Sequence, residues 1–307
     1  MKKKLSHAVL LTGIILFCLI IFSYAYWNGG TIEDIVRVSV ILDSQNSQQW
    51  KVLRQGMESF AKENEIEVSY VILAGEESIK EQMEILHREV QNGAEGIVLN
   101  LPNKGALVKQ INETLSQTRI VMVDSSLPLT FDCGYIAPDN AAMGKKLAET
   151  VLSEAREEEN FGIMIGNSDM QANQERLQGV KEILGERIAF VASTPDGVSK
   201  ELWQKTQRLL FLDVQAGEAA VDKAKEDGKL LYGIGRTEKL VYYLDKGIVD
   251  ALLVTDDFVM GYTALQSLYR QLRYYAAIES ETIPYILVDR ENLYTGENER
   301  ILFPAVQ

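Results

Sequence analysis

The stretch "VRVSVILDSQNSQQWKVLRQGMESFA" at 36–61 joins two patterns with different periods. Val36, Val38, Val40, Ile41 and Leu42 form a near-continuous apolar run, as a strand buried on both faces requires. Trp50, Leu53, Met57 and Phe60 then recur at helical spacing, and six polar residues, Asp43 to Gln48, lie between the two patterns. A buried strand that ends in a polar loop and turns into an amphipathic helix is one half of a parallel α/β unit.

The same unit repeats along the chain. Apolar runs are predicted as strands at 36–42, 67–73, 96–101, 119–124, 161–166, 188–193, 209–214, 229–235, 250–255 and 284–288. Helical patterns occupy 50–64, 79–92, 104–116, 141–158, 171–184, 216–227, 238–246 and 258–275. The alternation predicts parallel sheets covered on both faces. Ten strands exceed one compact sheet, and "YIAPDNAAMGKKLAE" at 135–149 marks a switch between two lobes. Pro138 biases Tyr135, Ile136 and Ala137 toward extended backbone, and Asp139 or Asn140 can cap the helix that follows.

Each buried run stops at a polar or small residue, among them Asn100, Asp124, Gly166, Asp213 and Thr255. Ligands of open parallel sheets bind beyond the carboxyl ends of the strands, so these stops are the expected lining of a site. Helix capping alone also selects Asp and Asn at such positions.

Composition narrows the function classes. The 307 residues are 46% hydrophobic, which suits a globular chain with a substantial core. The net charge is −13, and the part beyond Lys2, Lys3 and Lys4 carries −16, which argues against a nucleic-acid partner. Those lysines precede an apolar segment, 8–27, that ends in Tyr24, Tyr26 and Trp27. It reads as an export signal. Ser23, Tyr24 and Ala25 offer a cleavage site, whereas the apolar length and the aromatic belt favour a retained membrane anchor with 32–307 outside the cytoplasm. Cys133 is the one cysteine beyond that segment, so no intrachain disulfide is expected there. With His7 and His87 the only histidines, neither a zinc site nor a cofactor is expected.

The order of the motifs resembles the periplasmic sugar-binding proteins of the ribose-binding type, whose fold is shared with the effector domain of LacI-type repressors. The resemblance covers nearly all of 36–307. It rests on "VILDSQNSQQWKVLRQGME", "GAEGIVLNLPN", "VMVDSS", "YIAPDNAAMGKKLAE" and "QANQERLQGVKE", which occur in the family's order. It implies two Rossmann-like lobes joined by three crossings and closing on one small ligand. Lobe one would comprise about 36–137 and 256–283, and lobe two 138–255 and 284–307. Carried over position by position, the ligand-binding residues would be Asn46, Gln49, Trp50 and Asp124 in lobe one, Asn173, Arg176 and Asp213 in lobe two, and Asp256 at the hinge. Trp50 also fits a buried helical face beside Leu53, Met57 and Phe60.

The chain departs from the family where Leu212 precedes Asp213, where Gly235 replaces the sugar-binding Asp of a Gly-Phe-Asp-Gly stretch and Arg236 follows, and where Thr255 and Asp256 stand at the hinge Gln. The interval between the strands at 188–193 and 209–214 is also short for the usual helix. The implied function is capture of a sugar or similar polar solute outside the cytoplasm. The membrane partner would be an ABC permease, or a sensor kinase if the anchor is retained. A module that kept the fold and lost its ligand is the third alternative. An enzyme is disfavoured because no nucleophile pairs with a base, and a repressor because the apolar segment replaces its helix-turn-helix.

Overall fold

The computed structural model describes residues 17–20, 23, 35–43, 47–73, 79–102, 104–116 and 118–303. The expected anchor, 8–27, lies outside them except for 17–20 and 23, which are helical. Among the described residues, no helix is long and apolar enough to cross a membrane. Chain contacts divide the molecule into 1–36 and 37–307, and among the described residues the strands lie in the second unit.

The first half of that unit alternates β1 (Arg37–Asp43), α1 (Ser47–Glu63), β2 (Glu67–Leu73), α2 (Ile79–Gln91), β3 (Gly96–Asn100), α3 (Gly105–Thr114), β4 (Arg119–Val123) and β5 (Gly134–Ala137). The second runs α4 (Asn140–Glu154), β6 (Phe161–Met164), α5 (Gln171–Leu184), β7 (Ile188–Ala192), α6 (Lys200–Lys205), β8 (Arg208–Phe211), α7 (Val214–Glu226), β9 (Leu230–Ile234), α8 (Glu238–Asp245) and β10 (Ala251–Thr255). The chain ends with α9 (Asp257–Tyr274), β11 (Glu281–Thr282), β12 (Tyr285–Asp289) and α10 (Gly296–Leu302).

The strands form two six-stranded sheets, ordered β11-β5-β4-β3-β1-β2 and β12-β10-β9-β8-β6-β7. Both are parallel except for the β10–β12 pair. The chain passes between the sheets after β5, after β10 and after β11. Central strands are buried along their length while the edges β2 and β7 are mostly half-buried or exposed, as expected of sheets covered on both faces. In the first sheet β1 sits between β2 and β3, and in the second β6 sits between β7 and β8. Strand order therefore reverses at β1 and at β6, and a crevice opens beyond the carboxyl ends at such points.

Beyond β5, which takes the stretch expected only to be extended before Pro138, three pieces fall outside the expected pattern: α6, β11 and α10 are too short to show a period. The short α6 fills the interval in which a full helix was missing, with Trp203 buried beneath it. Val214, expected in a strand, starts α7 because Asp213 caps the helix there.

Candidate functional site

Strand ends of both sheets and the starts of α4, α5 and α7 converge on one cluster. At the end of β4, Asp124 has a left-handed backbone, φ 58°, a conformation Asp tolerates better than most residues. Its carbonyl accepts from Asn140 Nδ2 and from Tyr135 Oη, both at 3.0 Å, and its carboxylate Oδ1 accepts from Arg176 Nη2 at 2.8 Å. Burial and the neighbouring Asp124 raise the Tyr135 pKa, so the phenol remains a donor.

Arg176 reaches this place because two helices touch backbone to backbone. A Cβ on Gly144 of α4 would lie 2.0 Å from the Arg176 carbonyl oxygen, so only glycine lets α5 approach. The motif at 139–144 thus has three separate tasks. Asp139 caps α4 by accepting from Ala142 N, Asn140 Oδ1 accepts from Arg176 Nε at 2.8 Å, and Gly144 admits the neighbouring helix. Arg176 Nη1 donates to the Leu212 carbonyl at 3.1 Å, so each guanidinium nitrogen has a protein acceptor. Asp124 and Arg176 are 3% and 6% exposed, making this a buried, charge-neutral pair.

Asn173, one turn before Arg176, donates to Asp213 Oδ2 at 2.8 Å. The same oxygen accepts from Gly166 N, and Asp213 Oδ1 caps α7 through Ala216 N. The wall continues through Ile234, Gly235, Arg236, Val254, Thr255 and Asp257, enclosing about 10 Å³, room for roughly one water. Gly235, at φ 105°, has no space for a larger residue, since a Cβ there would lie 2.5 Å from Val214. The absent acid of the family pattern is therefore a property of the backbone here. Arg236, in the same wall, donates to the Leu302 carbonyl.

Of the remaining expected residues, Asp256 links the two lobes and Trp50 serves its own. Asp256 caps α9 through Val259 N and pairs with Arg300 at 2.7 Å. Trp50 is 2% exposed and donates its indole N–H to the Asp43 carbonyl, so its one polar atom is engaged beside β1. Asn46 lies outside the described residues, as does the side chain of Gln49. Asp124, Asn173, Arg176 and Asp213 are brought together as one bonded cluster. Asn140 and Ser125 belong to it as well, and sequence reasoning gave them no ligand role. Ser125 Oγ accepts from Ala172 N at 3.2 Å, from the first turn of α5.

Asn100, at the end of β3, donates to the Val123 carbonyl while its Oδ1 is buried without a partner among the described residues. A buried orphan acceptor is costly, and its place beyond a strand end suits a donor from outside the chain.

Residues 38–276 match the sequence profile of the periplasmic binding protein domain. The fold is that of a carbohydrate transporter solute binding protein from Agrobacterium radiobacter in complex with D-arabinose, at 18% identity and a TM-score of 0.76 over 88% of this chain and 99% of that one. It is also that of an ABC transporter solute binding protein from Agrobacterium vitis bound with α-D-tagatopyranose, with 13% identity, a TM-score of 0.76 and coverage of 88% and 100%. A chain of the XylFII-LytSN complex is similar at 17% identity and a TM-score of 0.67, over 83% and 99%. No curated protein sequence matches.

Proposed function

The chain belongs to the periplasmic binding protein family, and from that premise we propose that it captures a sugar or similar small polar solute between its two sheets, outside the cytoplasm. The observation that carries this reading is the set of Asn100, Asp124, Asn173, Arg176 and Asp213, gathered beyond the carboxyl ends of both sheets. Alternating amide, carboxylate and guanidinium groups suit adjacent hydroxyls, each of which donates once and accepts twice. Neighbours of the same fold hold D-arabinose and α-D-tagatopyranose, which favours a monosaccharide. Asn46 and Gln49 complete the first-sheet rim in this proposal, with Trp50 buried behind it, and no catalytic step is required.

The membrane partner we propose is an ABC permease, with 8–27 holding the chain at the membrane. A membrane sensor kinase is the second reading, favoured by the neighbour found in the XylFII-LytSN complex and by the expectation that the apolar segment is retained.

A thermal-shift screen of the purified chain against pentoses, hexoses, disaccharides and amino acids tests the solute. A true ligand at 100 times its Kd adds about 2.7 kcal/mol, a rise of roughly 5 °C or more in Tm. No rise with any compound at millimolar concentration removes the solute reading and leaves a module that kept the fold alone.

A further inference from the structure

We infer that the cleft carries its own latch: Asp124 and Ser125 of the first lobe hold Arg176 and Ala172 of the second, closing the lobes before any solute arrives. The latch rests on the solute-binding reading and says how that site is regulated. A solute must then exchange with protein groups instead of filling a vacant space.

Three observations carry it. An arginine poised for a solute keeps N–H groups facing an open cleft, whereas the Nε, Nη1 and Nη2 of Arg176 have acceptors in Asn140, Leu212 and Asp124. The acceptor on Nη2 comes from the opposite lobe. The second observation is the start of α5. Met170, its N-cap residue, offers no side-chain bond, and the orphan N–H of Ala172 is satisfied by Ser125 across the cleft. One lobe thus caps a helix of the other.

The third is the left-handed backbone at Asp124. This single conformation turns its carbonyl toward Asn140 and Tyr135, its carboxylate toward Arg176, and the next residue toward Ala172. Such a conformation persists only where its surroundings hold it. A solute that takes Arg176 must therefore displace the Asp124 carboxylate from it. A latch closed in 99% of molecules weakens apparent solute affinity about 100-fold.

Interlobe distance tests the latch directly. Spin labels at Lys62→Cys on α1 and Glu226→Cys on α7, both exposed, report opening in the full chain with Cys18 and Cys133 changed to serine. After extensive dialysis to strip small molecules, double electron–electron resonance should give one narrow distance. Asp124→Asn and the milder Ser125→Ala should each broaden and lengthen it, with circular dichroism unchanged in the second. A broad distribution in the dialysed parent chain that narrows on adding a sugar overturns the latch and keeps the solute reading. A distance that stays narrow in both variants overturns the latch as well. A narrow parent distance released by both variants, with no sugar raising Tm, supports the latch and removes the solute reading alone.

Discussion

The two lobes are built alike and finished differently. Each has a sheet whose strand order reverses beside its edge, and each has a helix pair in backbone contact. In the first lobe Gly56 meets the Phe258 carbonyl and Gly261 meets that of Leu53, joining α1 to α9. In the second Gly144 meets the Arg176 carbonyl and Gly179 that of Ala141, joining α4 to α5. The polar groups above these frames diverge. On the first side Asn100 keeps a buried acceptor free among the described residues, while on the second Asn173, Arg176 and Asp213 are bonded to protein groups. Scaffold and polar groups are thus separable: glycines and apolar strands make the lobes equivalent, and a few side chains differ in how they are engaged.

The largest effect should come from breaking the shared frame. Gly144→Val and Gly261→Val each force a side chain into a carbonyl about 2 Å from the new Cβ, and should cost at least about 3 kcal/mol. Urea unfolding measures both, and a large cost in only one lobe would refute the equivalence. Next in size is Arg176→Ala, which leaves Asp124 buried and unpaired at a cost of about 3–5 kcal/mol. In a double-mutant cycle, adding Asp124→Ala should recover part of that loss, and strict additivity would mean the pair is not coupled.

Gly235→Asp restores the acid of the family pattern to a backbone that cannot hold it. It should lower stability by about 1–3 kcal/mol without improving solute binding, which calorimetry can check. Asn100→Ala should cost only about 1 kcal/mol of stability, since one bond to Val123 is lost, yet weaken solute binding roughly tenfold.

The smallest effect lies at the far end of the second sheet. Burial raises the pKa of Asp250, whose carboxylate accepts from Leu231 N. The folded state then binds its proton more tightly than the unfolded state, so stability falls as pH rises from the ordinary carboxylate range through the raised value. Asp250→Asn should be slightly more stable than the parent at pH 7 and lose that advantage on acidification. Thermal melts between pH 4 and 7 measure it.

Much of the fold was legible because its strands are apolar and long enough to carry a pattern. β1, β3, β4, β8 and β10 are buried nearly throughout, and a buried parallel strand has only that one sequence appearance. α6, α10 and β11 had no period to read, and they exist because the sheets give them something to pack on or pair with. Asp124, Asn173, Arg176 and Asp213 stood out as polar stops and motif matches, so their gathering was foreseeable. Their engagement with one another was not, because a hydrogen bond between residues 52 apart leaves no local trace. Asn140 shows the limit well: beside Asp139 it looked like a helix cap, and only the approach of α5 gives its side chain another partner.

The three passages of chain between the sheets also set the order in which the molecule can form. The first sheet is completed by β11, and its helix α1 packs on α9, with Tyr262 bonded to Glu63 across 199 residues of sequence. Loop closure over such spans is slow, and contacts this distant delay folding. The amino-terminal lobe therefore cannot be complete until residues 257–282 have been made, and a ribosome-bound chain shorter than that lacks both the helix under its first sheet and the strand at its edge.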